Sequence, residues 1–246
     1  MNQPQPPTGV KFPLTRVDLL LRIRQDMQVR QSGPYSYIGI PNVERVECFL
    51  TGYACGTGSL GFDPGQDRLF GDWLRDVKKD WPSQGWAEAY LQEFDGDHAR
   101  ALRKYVDHAA EFRALSPTEL DALPWSAEER KLLGRAPSLQ PMKPPLLSLD
   151  ELLEIRRVGR IGLYIGYARV DRLGGYLDGY RLGLSLAGLK DEEYPRYARW
   201  LEDTGRVPIG NTWEDPFLQA ARGDHEAAIH RFLDCVAEFR NLSMNP

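Results

Sequence analysis

Histidine is the side chain that most readily performs acid–base catalysis or binds a metal ion at neutral pH, and this sequence has four of them. His98 and His225 each follow an aspartate, an arrangement that at first sight suggests catalysis. His225 and His230 are five residues apart, and His98 and His108 are ten apart. Two ligands on one helix face need a spacing of three or four residues, so neither pair predicts a metal site.

The cysteines and the one glycine-rich stretch offer no clearer chemistry. The three cysteines are an odd number without C-x-x-C spacing, which argues against a disulfide framework and against structural zinc. A nucleophile made from Cys55 would need a base that the sequence does not identify. Residues 52–58 are rich in glycine, but the chain has no G-x-x-x-x-G-K-[ST], G-x-S-x-G or H-E-x-x-H motif. We therefore predict that the protein is not an enzyme and uses no cofactor or metal ion.

The elements that would position any functional residue occur twice. A shift of 127 positions places Tyr37–Gly39 on Tyr164–Gly166, and the register holds without a gap until Leu115–Ser116 falls on Leu242–Ser243. About a third of the aligned positions are identical. The sequence is therefore an internal duplication, with a first copy over residues 37–116 and a second copy over residues 164–243.

Residues kept in both copies serve what the copies share, which is chiefly the fold. This favours a structural role for His98 and His225. The Gly-Asp pair before each histidine predicts a helix that ends at a glycine of positive φ, followed by an aspartate N-cap and a new helix. Tryptophan and phenylalanine at matched positions predict core residues, namely Trp73, Trp200, Trp86, Trp213, Phe112 and Phe239.

Apolar residues follow helical spacing in both copies, and strand signals are sparse. We predict a mainly α fold, in which two similar helical-bundle repeats are joined by a proline-rich strap. The predicted division is a flexible N-terminus over residues 1–14, repeat 1 over 15–116, a connector over 117–147 and repeat 2 over 148–246. Helix starts are predicted by capping signals at Thr15 with Asp18 and within residues 116–119, 126–129 and 148–151.

Two glycines stand inside apolar helical patterns. Gly52 and Gly179 occupy matched positions of the two copies, in Leu-x-Gly-Tyr stretches. Because glycine lowers helix stability, its presence there indicates a place where another helix can pack closely.

Composition and charge limit the classes of partner. The apolar fraction of 42% can build a core, and the net charge of −4 lacks the surplus of Lys and Arg that nucleic-acid binding needs. The charge suits a basic or neutral protein partner, and it is also an ordinary solubility charge. The stretch from Met1 to Pro13 carries four prolines and no apolar run, and no part of the chain reaches membrane-spanning length. We expect a cytoplasmic protein that binds neither nucleic acid nor membrane.

The stretches Tyr37–Gly39 with Phe49–Tyr53, and Tyr164–Gly166 with Tyr176–Tyr180, are followed by a Trp-Leu pair, a tryptophan and an amphipathic helix. This pattern resembles bacterial immunity proteins that are paired with polymorphic toxins of the Rhs or type VI secretion kind. In such proteins an Arg-Pro-Gly-Met-Tyr-Leu-Gly-like stretch precedes Phe-Leu-x-Gly-Tyr. The resemblance covers nearly all of both copies, and it implies a cognate toxin domain as the partner.

Three functions are weighed. The leading one is an immunity protein that neutralises a toxin by occluding its active site or target surface. The second is a non-catalytic structural or adaptor protein that acts through self-association, and the third is an enzyme of unrecognised type. For the first, we expect the toxin contact where the copies differ, at acidic residues before the Trp-Leu pairs: Asp63, Asp67, Asp191, Glu192 and Glu193.

Overall fold

The structure is a computed structural model that describes residues 13–30, 35–63, 65–126, 129, 131, 138–139 and 146–244. Nearly all of the predicted flexible N-terminus, residues 1–14, lies outside this range. So does much of the predicted connector, including Pro141, Pro144 and Pro145.

The described residues form two compact units. The first unit consists of the described parts of Phe12–Glu47 and Gly61–Pro141, and the second consists of Cys48–Leu60 and the described part of Met142–Pro246. The repeat boundaries predicted from the sequence follow the duplication, whereas these units follow the packing of the chain.

Both units are built from α-helices, as the spacing of apolar residues predicted. The first unit has a pair of two-residue strands, β1 (Phe62–Asp63) antiparallel to β2 (Ser138–Leu139). Its helices, counting α2 as far as Glu47, are α1 (Arg16–Val29), α2 (Val43–Ser59), α3 (Gly65–Asp76), α4 (Trp86–Glu93), α5 (His98–Arg113) and α6 (Pro117–Asp121). The second unit contains the rest of α2 and α7 (Ser148–Val158), α8 (Gly162–Ile165), α9 (Val170–Leu186), α10 (Glu193–Asp203), α11 (Glu214–Ala220) and α12 (His225–Met244).

Helix boundaries recur at the offset seen in the sequence. Both ends of α9 stand at the positions that match the ends of α2, and the first residue of α12 matches the first residue of α5. The predicted turn is confirmed before α5 in the first unit and before α12 in the second unit. Gly96 and Gly223 have φ of 85° and 87°, and the following aspartates each accept a hydrogen bond of 3.0 Å from a main-chain N–H in the first turn of the next helix.

An aromatic cluster fills the core of the first unit. Phe70 stacks on Trp73 with ring centroids 6.3 Å apart, and Trp73 lies 5.7 Å from Phe112. Trp86 stacks on Tyr105 at 3.9 Å. All five side chains are buried, which confirms the predicted core positions here.

The second unit repeats these contacts at matched positions. Tyr197 stacks on Trp200 at 6.0 Å, Trp200 lies 5.6 Å from Phe239, and Trp213 stacks on Phe232 at 3.9 Å. Trp200 differs from the prediction because it is only partly buried. The Arg206 guanidinium covers its ring at 4.2 Å, so part of this ring faces a charged side chain instead of core.

Helices α2 and α9 approach closely inside the second unit. A Cβ atom on Gly52 would lie 1.9 Å from the Tyr176 carbonyl oxygen, and one on Gly179 would lie 1.9 Å from the Phe49 carbonyl oxygen. No real Cβ comes so near to another chain segment, so both positions require glycine. The close packing predicted at these glycines is therefore confirmed.

Three of the four predicted helix starts have the expected caps. Thr15 accepts from the Asp18 N–H at 3.0 Å, and glutamates close capping boxes at 116–119 and 126–129. The prediction for Ser148 is wrong by one residue. Helix α7 begins at Ser148, and the Leu147 N–H donates to Asp150 at 3.3 Å. Ser148 is thus the first residue of the helix and not its N-cap, and its N–H donates to the Asp191 carboxylate at 3.1 Å.

Candidate functional site

The two histidines that follow aspartates hold the starts of helices. His98 Nδ1 accepts a hydrogen bond from the Val43 N–H at 3.3 Å, and His225 Nδ1 accepts one from the Val170 N–H, also at 3.3 Å. Val43 and Val170 are the first residues of α2 and α9, whose amides have no partner within the helix. The histidines therefore serve the fold in the same way in both units.

Asp67, one of the five predicted contact residues, is buried in the first unit with 7% of its surface exposed. Its carboxylate accepts hydrogen bonds from the Arg16 N–H at 3.0 Å and the Val17 N–H at 3.2 Å, at the start of α1. Burial raises the pKa of Asp67, although the Arg16 charge and the two amide donors oppose this rise. The side chain acts as a helix cap supplied from a distant part of the sequence.

The acidic residues of the second copy are also engaged within their own unit. Asp191 accepts from the Ser148 N–H at 3.1 Å, at the start of α7, and from the Tyr194 N–H at 3.2 Å. Glu193 pairs with Arg240 at 2.9 Å. Glu192 is exposed. The side chain of Asp63, in β1, lies outside the described part. Of these five residues, Glu192 is the one whose described side chain is turned to solvent.

A charged cluster in the first unit was not recognised in the sequence. Asp80 accepts a hydrogen bond from Lys104 at 2.9 Å and lies 3.0 Å from His108 Nε2. The Lys104 ammonium group lies 4.1 Å over the ring of Tyr90, and the His108 ring meets the edge of Trp73. Burial raises the pKa of the Asp80 carboxyl, but Lys104 and His108 outweigh it and the net pKa is lowered.

This cluster belongs to the first copy alone. At the matched positions of the second copy, Asp80 is replaced by Val207, His108 by Cys235 and Tyr90 by Phe217. Comparison of the two copies could therefore have indicated this cluster, because its polar residues have less polar counterparts in the second copy. The described neighbours of His108 are charged groups and aromatic rings. The contact between His108 and Asp80 joins α5 to the turn after α3 and so stabilises the unit.

The second unit holds one buried carboxyl group beside a tyrosine. Tyr176 donates its hydroxyl to Glu151 at 2.6 Å, and 8% of Glu151 is exposed. Burial raises the pKa of Glu151, and the Tyr176 hydrogen bond opposes the rise. Burial and the Glu151 charge in turn raise the pKa of Tyr176.

The three cysteines are thiols and form no disulfide: Cys48 is buried, Cys235 is partly buried and Cys55 is exposed. In the part of the chain that the structure describes, three or more histidine, cysteine or acidic side chains nowhere converge as metal ligands would.

Large exposed apolar side chains occur at one matched position of the two copies. Ile40, before α2, is 76% exposed, and Tyr167, before α9, is 64% exposed. Two residues earlier, Ile38 and Ile165 are buried with 6% and 1% of their surfaces exposed. Each loop is therefore anchored in its unit by one isoleucine and presents the next large apolar side chain to solvent. This exposure was not predicted from the sequence.

No protein-family model matches the chain, and no curated protein or solved structure matches it either. Among the described residues, no helix combines the length and apolar character that crossing a membrane requires.

Proposed function

We propose that this chain is a cytoplasmic immunity protein that binds a cognate toxin domain and occludes its active site or target surface. It consists of two copies of one helical bundle joined by a proline-rich strap, and it carries out no catalysis. The observation that carries the proposal is the exposed apolar side chain at the same position of both copies, Ile40 and Tyr167.

This position has a property that folding alone does not explain. A residue retained for packing is buried, as Ile38 and Ile165 are, whereas Ile40 and Tyr167 leave most of their apolar surface in water. Single exposed apolar residues are common on protein surfaces. Here, however, the exposure recurs at the matched position of two diverged copies. Tyrosine is also enriched among the residues that contribute most to protein binding.

The acidic residues form a secondary part of this proposal. Asp67 and Asp191 cap helices, and Glu193 is paired with Arg240, so these carboxylates already have partners in their own units. Glu192 is exposed and is the acidic residue that we propose for contact with a basic region of the toxin. A toxin that acts on nucleic acid needs such a region to hold phosphate groups.

The alternative is an adaptor that acts through self-association. Exposed apolar loops also suit a second copy of the same chain, because apolar surface favours association of either kind. The two functions differ in what occupies the loops in solution. An immunity protein is free of its own copies until toxin arrives, whereas an adaptor forms concentration-dependent oligomers by itself.

Co-expression with the product of the neighbouring gene tests the proposal. We expect the two proteins to copurify as a complex of defined stoichiometry, and cells that carry both genes to survive expression that kills cells with the toxin alone. The isolated chain should show one mass over a hundredfold range of concentration. Oligomers that form without the neighbouring protein, with no complex and no protection, would favour the adaptor.

A further inference from the structure

A strongly basic segment lies in the second unit. Residues 156–169 contain four arginines and no aspartate or glutamate, although the whole chain has a net charge of −4. The corresponding stretch of the first copy is residues 24–42, because Arg24, which pairs with Asp107, corresponds to Arg156, which pairs with the matched Asp234. This stretch contains Arg24, Arg30 and Asp26. We call residues 156–169 the basic segment. Since the segment carries a net charge of +4 and the corresponding stretch of the first copy carries +1, the shared fold does not require most of this charge.

The basic segment is held firmly at its centre. Ile161 and Ile165 are buried, and the Arg172 side chain donates a hydrogen bond of 2.5 Å to the Ile165 carbonyl oxygen. The ring of Tyr164 meets the edge of the Tyr176 ring at 6.0 Å. A surface fixed in this way loses little conformational entropy when a partner binds.

Three side chains of the basic segment point away from the core. Leu163 is 71% exposed and Tyr167 is 64% exposed, and each follows a buried isoleucine by two positions. Arg160 is exposed, and its guanidinium group has no ion pair or hydrogen bond among the described residues. The segment therefore offers one available positive charge beside two apolar side chains.

The two arginines at the start of the basic segment form ion pairs that exposure to solvent weakens. Arg156 pairs with Asp234 at 2.9 Å, and Arg157 pairs with Glu154 at 2.5 Å. The arginine side chains remain 46% and 72% exposed. Ion pairs at such exposure contribute little to stability, so a partner's carboxylate can replace the internal one at small cost.

We propose that the basic segment docks an acidic, partly apolar surface of the protein partner, an inference that rests on the proposed immunity function. Guanidinium groups bind carboxylates through paired hydrogen bonds. Leu163 and Tyr167 fit apolar depressions between the carboxylates of the partner's surface. A phosphate polymer fits the segment less well. The exposed apolar side chains of Leu163 and Tyr167 find no counterpart on a sugar-phosphate backbone.

Charge reversal and apolar truncation test this docking surface against the neighbouring gene product. Arg160→Glu should slow association by about tenfold or more at low ionic strength, with a smaller difference in 0.5 M salt. Leu163→Ala should speed dissociation by about tenfold. Arg103→Glu, on the exposed face of α5 in the first unit, and Ile209→Ala, which removes an apolar side chain that is 87% exposed, are matched controls and should leave both rates unchanged. Unchanged melting temperatures show that all four variants fold.

The outcomes separate the two proposals. If the wild-type chain forms no complex with the neighbouring protein, the immunity function and the docking surface both fail. If the complex forms and Arg160→Glu and Leu163→Ala bind like wild type, the docking surface alone is wrong. A labelled 20-base-pair DNA duplex and vesicles rich in phosphatidylserine serve as other anionic probes. Tight binding of either by the wild type, lost in Arg160→Glu, would overturn the acidic-protein assignment.

Discussion

Gly52 of α2 packs directly against the main-chain carbonyl of Tyr176 in α9, so closely that a Cβ atom would lie 1.9 Å from the oxygen. The relationship is reciprocal, because Gly179 of α9 packs with the same clearance against the carbonyl of Phe49, which matches Tyr176 in the first copy. Gly56 and Gly183 continue the contact one turn later. Helices α2 and α9 therefore pack backbone against backbone at these four glycines inside the second unit, and we call this contact the seam.

Alanine at this seam should destabilise the protein. Gly52→Ala and Gly179→Ala each force two helix backbones apart, and we expect a loss of about 1 to 3 kcal/mol or more in the free energy of unfolding. Gly58→Ala is the matched control, because Gly58 lies in the same helix as Gly52 and an added Cβ would meet no atom within 4 Å. It should stabilise the helix by roughly 0.5 to 1 kcal/mol. Urea denaturation of the three variants provides the comparison, and equal effects at Gly52 and Gly58 would contradict the close packing.

The two matched tryptophans should differ in their contribution to stability. Trp73 is buried among Phe70 and Phe112, so Trp73→Ala should cost about 3 to 5 kcal/mol. Trp200 is partly exposed beneath Arg206, and Trp200→Ala should cost less. Thermal unfolding measures both changes. A Trp73→Ala variant that kept its melting temperature and lost partner binding would place this residue in an interface.

Glu151 should make stability depend on pH. Because burial raises its folded-state pKa above the ordinary value of 4.5, the folded protein retains the proton where the unfolded chain has lost it. The contribution of this group to stability therefore falls as pH rises above about 4.5. Glu151→Gln cannot ionise. We therefore expect its free energy of unfolding, relative to that of the wild type, to be higher at pH 8 than at pH 4.

The control for this pH dependence is one turn away on the same helix. Arg157 lowers the pKa of the partly exposed Glu154, so Glu154→Gln should have the opposite trend and lose relative stability as pH rises. Denaturant midpoints at several pH values measure both variants. Parallel trends for the two variants would show that burial does not govern Glu151.

The acidic residues should separate into structural and exposed members. Asp67→Ala removes the acceptor for two amides at the start of α1 and should destabilise the protein by about 0.5 to 2 kcal/mol. Glu192→Lys should leave the melting temperature unchanged and slow association with the toxin, most visibly at low salt. If Glu192→Lys binds with wild-type rates at two ionic strengths, the acidic contact with a basic region of the toxin is wrong.

The local features of the fold were largely predictable from the sequence. The helical spacing and the Gly96-Asp97 turn depend on neighbouring residues, and comparison of the two copies indicates the glycines of the seam. Both kinds of information are present in the sequence. The cap on Ser148 was misplaced by one residue. The amide of Ser148 is bonded to Asp191, 43 positions away, and periodicity contains no information about such a contact.

The candidate site was less accessible for a related reason. Asp67 looked like a free loop charge because the amides that it binds are 50 and 51 residues away. Ile40 and Tyr167 follow buried isoleucines in apolar stretches, and their exposure depends on how each loop leaves its unit. Charge and hydropathy alone do not distinguish a side chain that faces the core from one that faces solvent.

In this account the buried side chains, the close-packed glycines and the helix caps serve folding, whereas the exposed apolar position of the two copies serves binding. Parallel measurement of melting temperature and toxin affinity for the double variant Ile40→Ala, Tyr167→Ala tests it most directly. We predict an unchanged melting temperature and an affinity weakened about 30-fold or more, as loss of residues central to an interface produces. Wild-type affinity in this variant, or a loss of affinity that only follows a fall in melting temperature, would contradict the account.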